Sequence, residues 1–208
     1  MKSIAILLFD HVEVLDFAGP FEVFSVTGRR ETGEPYEVFT VAEHEIVAAR
    51  NNLSVRPAYT LQNCPMASMY LIPGGGGFHP DGAPFGTRLE MENRTLLAWI
   101  TERFASAEIM LSVCSGALIL ARAGLLDHLE ATTHHLAVDL LRTVAPTAIV
   151  NPEKRWVDNG KVVLSAGVSA GIDMALYMVE RLQGAEVANE TARYMEYRRA
   201  SANTRRPT

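Results

Sequence analysis

Chemistry concentrates first in the segment Leu111-Ser112-Val113-Cys114-Ser115-Gly116-Ala117, where an apolar run stops at a cysteine and small residues follow. A strand that ends in a nucleophile and turns at once into a helix throws that side chain outward, and small neighbours relieve crowding at the turn. Unpaired N–H groups at the helix start, with the positive end of its dipole, favour thiolate over thiol. The pattern predicts a nucleophile at Cys114, the more acidic of the two thiols, rather than the small packed hydrophobe that a cysteine more often is. Cys64 precedes Pro65 in a stretch with neither strand nor elbow character, and packing is its expected role.

Two further elements point toward the same chemistry. Pro73-Gly74-Gly75-Gly76-Gly77 follows an apolar run, and its backbone can approach a ligand closely and present N–H groups. The N–H groups of Gly75 and Ser115 are therefore candidates for an oxyanion hole, with Gly74 beside them. A phosphate loop is excluded, because Phe78-His79-Pro80 stands where a Lys-Ser/Thr ending is required; a plain flexible turn remains the alternative. The third element is Asp16, a lone carboxylate between Leu15 and Phe17. Asp16 either caps the helix that follows or acts as a general acid/base. His134 and His135 offer another base, but on a strand adjacent side chains face opposite ways, so at most one addresses the site. The remaining histidines show no metal-ligand spacing, and no metal or other cofactor is expected.

These groups must be positioned by something, and the apolar pattern says what. Strand-length runs alternate with helical periods, which predicts a mainly parallel sheet covered by helices on both faces. Strands are expected over 4–9, 36–42, 69–72 and 108–113, and helices over 16–25, 89–104, 115–123 and 172–182. Hairpins are expected to turn at Asn51-Asn52, between 46–50 and 53–56, and at Asp158-Asn159-Gly160 within 156–164. In such a sheet, ligands bind beyond the carboxyl ends of the strands, so Asp16, Gly75 and Cys114 should converge on one crevice.

Composition bounds the rest. With 208 residues, 48% of them hydrophobic, the chain can bury one large core, and 1–208 is read as a single domain with a C-terminal helix and basic tail over 185–208. A net charge of −5 gives no footprint for nucleic acid; Arg198, Arg199, Arg205 and Arg206 are read as a solvated tail. Two cysteines fit a reducing, cytoplasmic setting, and the first apolar run is too short to span a membrane.

A family resemblance rests on Phe9-Asp10, Leu15-Asp16, Gly19-Pro20-Phe21-Glu22-Val23-Phe24, Ile72-Pro73-Gly74-Gly75 and Val113-Cys114-Ser115-Gly116-Ala117. Leu120-Ala121, Ala123-Gly124-Leu125-Leu126-Asp127, Ala131-Thr132-Thr133-His134 and the run Ser165-Ala166-Gly167-Val168-Ser169-Ala170-Gly171-Ile172-Asp173-Met174-Ala175 extend it. Over about 3–182 the chain resembles the ThiJ/PfpI family of the class I glutamine amidotransferase-like superfamily, and within it most resembles isonitrile hydratases and the sensor domains of AraC-type regulators.

The resemblance implies a flavodoxin-like α/β three-layer sandwich, a homodimer, a small-molecule substrate, and a Cys114 nucleophile assisted by Asp16. Peptidases of the family carry histidine directly after the nucleophile; Ser115 stands there, which argues against proteolysis. The activity implied is hydration of a small isonitrile to an N-substituted formamide. The alternatives are a metabolite-sensing domain without turnover and a glyoxalase- or chaperone-like stress protein. A regulator's DNA-binding region would follow residue 182, where twenty-six residues remain, so DNA binding by this chain alone is not expected.

Overall fold

The computed structural model describes residues 1–200. The strand β1 (Ser3–Leu8) is almost wholly apolar because it runs through the middle of a sheet with both faces covered. Helix α1 (Val14–Val26) follows, then β2 (Glu37–Ala42), the short pair β3 (Val47–Ala48) and β4 (Ser54–Val55), β5 (Tyr59–Thr60) and β6 (Met69–Ile72). The ribbon β7 (Gly76–Phe78) and β8 (Pro84–Gly86) leads into α2 (Thr87–Glu90) and α3 (Arg94–Ser106). Next come β9 (Ile109–Val113), α4 (Gly116–Arg122), β10 (Glu130–Ala131), α5 (Val138–Val144) and β11 (Ile149–Val150). The hairpin β12 (Trp156–Asp158) and β13 (Val162–Ser165), then α6 (Ala170–Gln183) and α7 (Ala185–Tyr194), complete the order.

The main sheet has seven strands in the order β12-β13-β9-β6-β1-β2-β5, all parallel except the edge strand β12. Helices α1, α6 and α7 pack together on one face and α2, α3, α4 and α5 on the other. This is the expected flavodoxin-like α/β sandwich. Both hairpins form where expected, and Asn51, Asn52 and Gly160 take the positive φ that tight turns demand.

Three expectations are corrected by local chemistry. Residues 89–104 are not one helix: the Asn93 side chain accepts the Leu96 N–H at 3.2 Å and starts α3 afresh after a break. His134 and His135 lie on no strand; they enter a 3₁₀ turn with their tilted rings 4.3 Å apart, centroid to centroid. The basic tail is only partly free. Arg199 pairs with Glu180, Tyr197 Oη and the Ala200 N–H both donate to the buried Asp173, and Asp173 is held in turn by Arg155. Arg205 and Arg206 lie outside the described residues.

The close approach of α4 to β6 depends on Gly116. A Cβ there would stand 2.1 Å from the Ile72 carbonyl oxygen, a backbone atom that cannot swing away. Gly116→Ala is therefore expected to cost more than ~3 kcal/mol through forced backbone movement. At this chain length that lowers the melting temperature by roughly 10 °C. A variant melting within ~2 °C of the parent would show that the packing has slack.

Candidate active site

Four parallel strands deliver their carboxyl ends to one place. Beyond β1 lie His11 and the start of α1, beyond β6 lies Pro73-Gly74-Gly75, beyond β9 lies Cys114, and beyond β13 lies Gly167-Val168. Cys114 is the elbow residue between β9 and α4, with φ of 58°, a conformation that costs a non-glycine residue about 1 kcal/mol or more. Its surroundings hold it there. The Cys114 N–H donates to the carbonyls of Ser165 and Ala166 at 3.2 and 3.0 Å, and the hydroxyl of the buried Thr133 donates to the Cys114 carbonyl at 2.7 Å. The Ala-Thr-Thr-His segment thus acts partly as a clamp on the elbow.

Asp16 sits in the first turn of α1, fully buried, and does not cap the helix: the residue at the cap is Glu13. Its Oδ2 instead accepts the Gly74 N–H at 3.0 Å, from a loop 58 residues away. Gly74 must be glycine, since a Cβ would fall within 2.8 Å of Ser115 N, Ser115 Oγ and Asp16 Oδ2. The second oxygen, Oδ1, is buried without a hydrogen-bond partner of normal geometry. The Cys114 thiol and the Val168 N–H lie near enough to the carboxyl group to favour its charged form. Burial outweighs them and raises the Asp16 pKa to about 7.

The thiol behaves differently from the expectation. Burial, then the Asp16 carboxylate, push the Cys114 thiol up, while the Ser115 N–H pulls it down and does not prevail. At 6% exposure the helix start is not enough to make Cys114 the more acidic thiol while Asp16 is ionised. Cys64 is also buried, donates to the Pro65 carbonyl, and is raised to about 11 by burial. Cys114 and Asp16 are a coupled pair: below about pH 7 each holds a proton, and above it they hold one between them.

The backbone donors also differ from the expected pair. The Gly75 N–H is committed to Ser115 Oγ at 3.1 Å, and Thr87 Oγ1, 3.1 Å from that hydroxyl, lies 2.7 Å from the Gly75 carbonyl. The amides that favour a charged sulfur are those of Ser115 and Val168. Val168 has φ of 49°, rare for a β-branched residue, and sequence reasoning missed it because local propensity argues against that conformation.

A pocket of about 320 Å³ opens over the sulfur, walled by Gly75, Gly76, Arg88, Ser115, His134 and Val168 among others. His134 Nδ1 accepts the Leu136 N–H at 3.3 Å, which in the neutral ring places the proton on Nε2. Its ring lies tight against Gly167, where a Cβ would meet Cδ2 at 2.3 Å.

Residues 2–181 match the model of the DJ-1/PfpI family. The chain belongs to the DJ-1/PfpI family. Among its relatives, isonitrile hydratase from Pseudomonas putida is 32% identical over 196 residues, covering 94% of this chain and 78% of that protein. The HTH-type transcriptional regulator GbdR of Pseudomonas aeruginosa is 23% identical over 199 residues; they cover 95% of this chain but only 51% of the regulator. A ThiJ/PfpI family protein from Pseudomonas syringae superposes with a TM-score of 0.81 at 30% identity, covering 96% of this chain and 76% of that one. Drosophila melanogaster DJ-1beta gives 0.76 at 18% identity, over 95% and 98% of the two chains, a likeness of fold alone.

Within this DJ-1/PfpI fold, the arrangement supplies a sulfur, a carboxyl able to hold or release a proton near neutrality, and two amides beside the sulfur. Arg88 was not anticipated. It enters the pocket from the first turn of α2, and its only advance signal was an arginine soon after the glycine run.

Proposed function

We propose that this protein hydrates a small isonitrile to an N-substituted formamide through a thioimidate on Cys114. The observation that carries the reading is the buried Asp16 carboxyl beside the thiol, with one oxygen anchored by Gly74 and the other unpartnered. The 32% identity to isonitrile hydratase supports the substrate class.

The steps balance with these residues alone. Asp16 takes the thiol proton, and the thiolate forms a C–S bond to the terminal carbon. The Asp16 carboxyl returns that proton to the same carbon, giving R–N=CH–S–Cys114. Water then adds to that carbon, its proton passing through Asp16 to nitrogen. Collapse to R–NH–CHO breaks the C–S bond, and the departing sulfur takes the hydroxyl proton by way of Asp16. The Ser115 and Val168 N–H groups stabilise the sulfur as it carries charge.

A screen of small isonitriles, amides and glyoxals with wild type and Cys114→Ala tests the reading. Formamide production from an isonitrile by wild type alone supports it; turnover of only a glyoxal or an amide overturns the substrate class. The pH profile adds a check. Below about 7 both thiol and carboxyl are protonated and no base remains to take the thiol proton, so kcat/KM should rise with pH through that value and then level. A flat profile from pH 5 to 9 would remove Asp16 from the first step.

A second reading is a sensor that binds without turnover. It is favoured by the resting thiol, which burial holds in its unreactive form, and by the likeness to GbdR. Saturable binding with no product from any compound would select it.

A further inference from the structure

We infer that Arg88 receives an anionic group of the molecule that enters the Cys114 pocket, so that the substrate is a small carboxylate-bearing compound rather than a neutral one. The inference rests on reading this pocket as the substrate site and refines its chemistry.

Charge around the pocket is compensated everywhere except at Arg88. The charged side chains lining the pocket, the histidine aside, are Glu13, Arg50 and Arg88. Glu13 and Arg50 neutralise each other at 2.7 Å. Arg88 has no such partner among the described residues. The other half-buried arginines among the described residues, Arg103, Arg155 and Arg199, each meet a carboxylate. Arg88 meets none among them; its Nη1 donates to Thr87 Oγ1 at 3.1 Å, and its Nε is buried with no partner. A half-buried cation without a counter-charge is costly to keep. Burial accordingly draws its pKa down.

The geometry says what restores the balance. Nη1 is engaged by Thr87 and Nε is buried, so Nη2 is the guanidinium nitrogen left to donate to a carboxylate. The thiolate is the other candidate anion, since its charge would favour that of Arg88. Yet the strongest influences on the thiol are burial, Asp16 and the amides of Ser115 and Val168, and Arg88 is not among them. A 320 Å³ pocket has room for roughly ten heavy atoms at ~30 Å³ each. One end of the ligand would be its reacting carbon at Cys114 and the other its carboxylate at Arg88.

The test uses matched pairs that differ in charge. Isocyanoacetate and methyl isocyanoacetate serve for turnover, and their hydration products, N-formylglycine and its methyl ester, serve for calorimetric binding to Cys114→Ala. Wild type should favour isocyanoacetate in kcat/KM by on the order of 10–100-fold, the range expected for hydrogen bonds to a charged group. In Arg88→Gln that selectivity ratio should fall toward one, with the change in KM for the acid, and Arg88→Lys should restore part of it. In the Cys114→Ala background, Arg88→Gln should weaken N-formylglycine by the same order and shrink its advantage over the ester. If no isonitrile turns over but N-formylglycine still binds through Arg88, the hydratase reading falls and the anion site stands. Equal affinity for acid and ester, equal weakening of both by Arg88→Gln, or no measurable binding of the acid overturns the inference.

Discussion

Cys114→Ala is expected to lower turnover by at least ~10⁴-fold while leaving a folded protein, because removal of a covalent nucleophile cannot be made up by the groups around it. The fold should survive. The substitution removes one buried sulfur and leaves untouched the bonds that shape the elbow, which run through the Cys114 backbone to Ser165, Ala166 and Thr133. Neither alanine nor cysteine is comfortable at φ of 58°, so the strain is carried over rather than relieved. Cys114→Gly should relieve it, and a dead variant that melts higher than Cys114→Ala would show that the elbow is held at a cost for the sake of its side chain. Cys64→Ala is the control, since that thiol is buried outside the pocket lining. Mass spectrometry during turnover should find one substrate mass added to wild type and none to Cys114→Ala. Retention of activity within ten-fold would exclude the covalent route.

What the sequence made legible divides along physical lines. The buried strands and the elbow could be read because parallel strands covered on both faces leave unbroken apolar runs, as in β1, β6 and β9. The two-residue strands β5, β10 and β11 left no trace, since so short a pairing has no period to detect. The β7–β8 ribbon was hidden for another reason: its glycines suggest only a turn, and the pairing of Gly76 with Gly86 depends on contacts ten residues apart. Cys114, Asp16, Gly74, Gly75 and Ser115 could be named as site candidates, and the structure brings them together. Their bonding could not be named, because the Gly74 amide reaches Asp16, and the Ser115 hydroxyl reaches Gly75, only once strands distant in sequence are side by side. Val168 and Arg88 escaped because each contradicts a local rule, one of backbone conformation and one of charge pairing. Conflicts of that kind are where function tends to be found.

Asp16→Asn carries the largest opposed effects, a loss of rate and a gain of stability. Asparagine keeps the size of the side chain and an oxygen for the Gly74 N–H but cannot carry a proton between sulfur and carbon, so turnover should fall on the order of 10²–10⁴-fold. Stability should move the other way. Because the folded protein raises the Asp16 pKa from 3.8 to about 7, it binds that proton more tightly than the unfolded chain does. The stabilisation is full below about pH 4 and is lost as pH rises through about 7, amounting to on the order of 4 kcal/mol across that window. Wild type therefore gives up stability over the interval in which its activity is expected to appear. Asparagine does not titrate, so Asp16→Asn should melt higher than wild type at pH 8, and the gap should close toward pH 4. Melting curves at both pH values, with turnover of an accepted substrate alongside, decide the matter. A melting difference that does not change with pH would mean that Asp16 is not held at a raised pKa. Activity within a few-fold of wild type would mean that the proton travels by another group, and His134, which also lines the pocket over the sulfur, would be the next to replace.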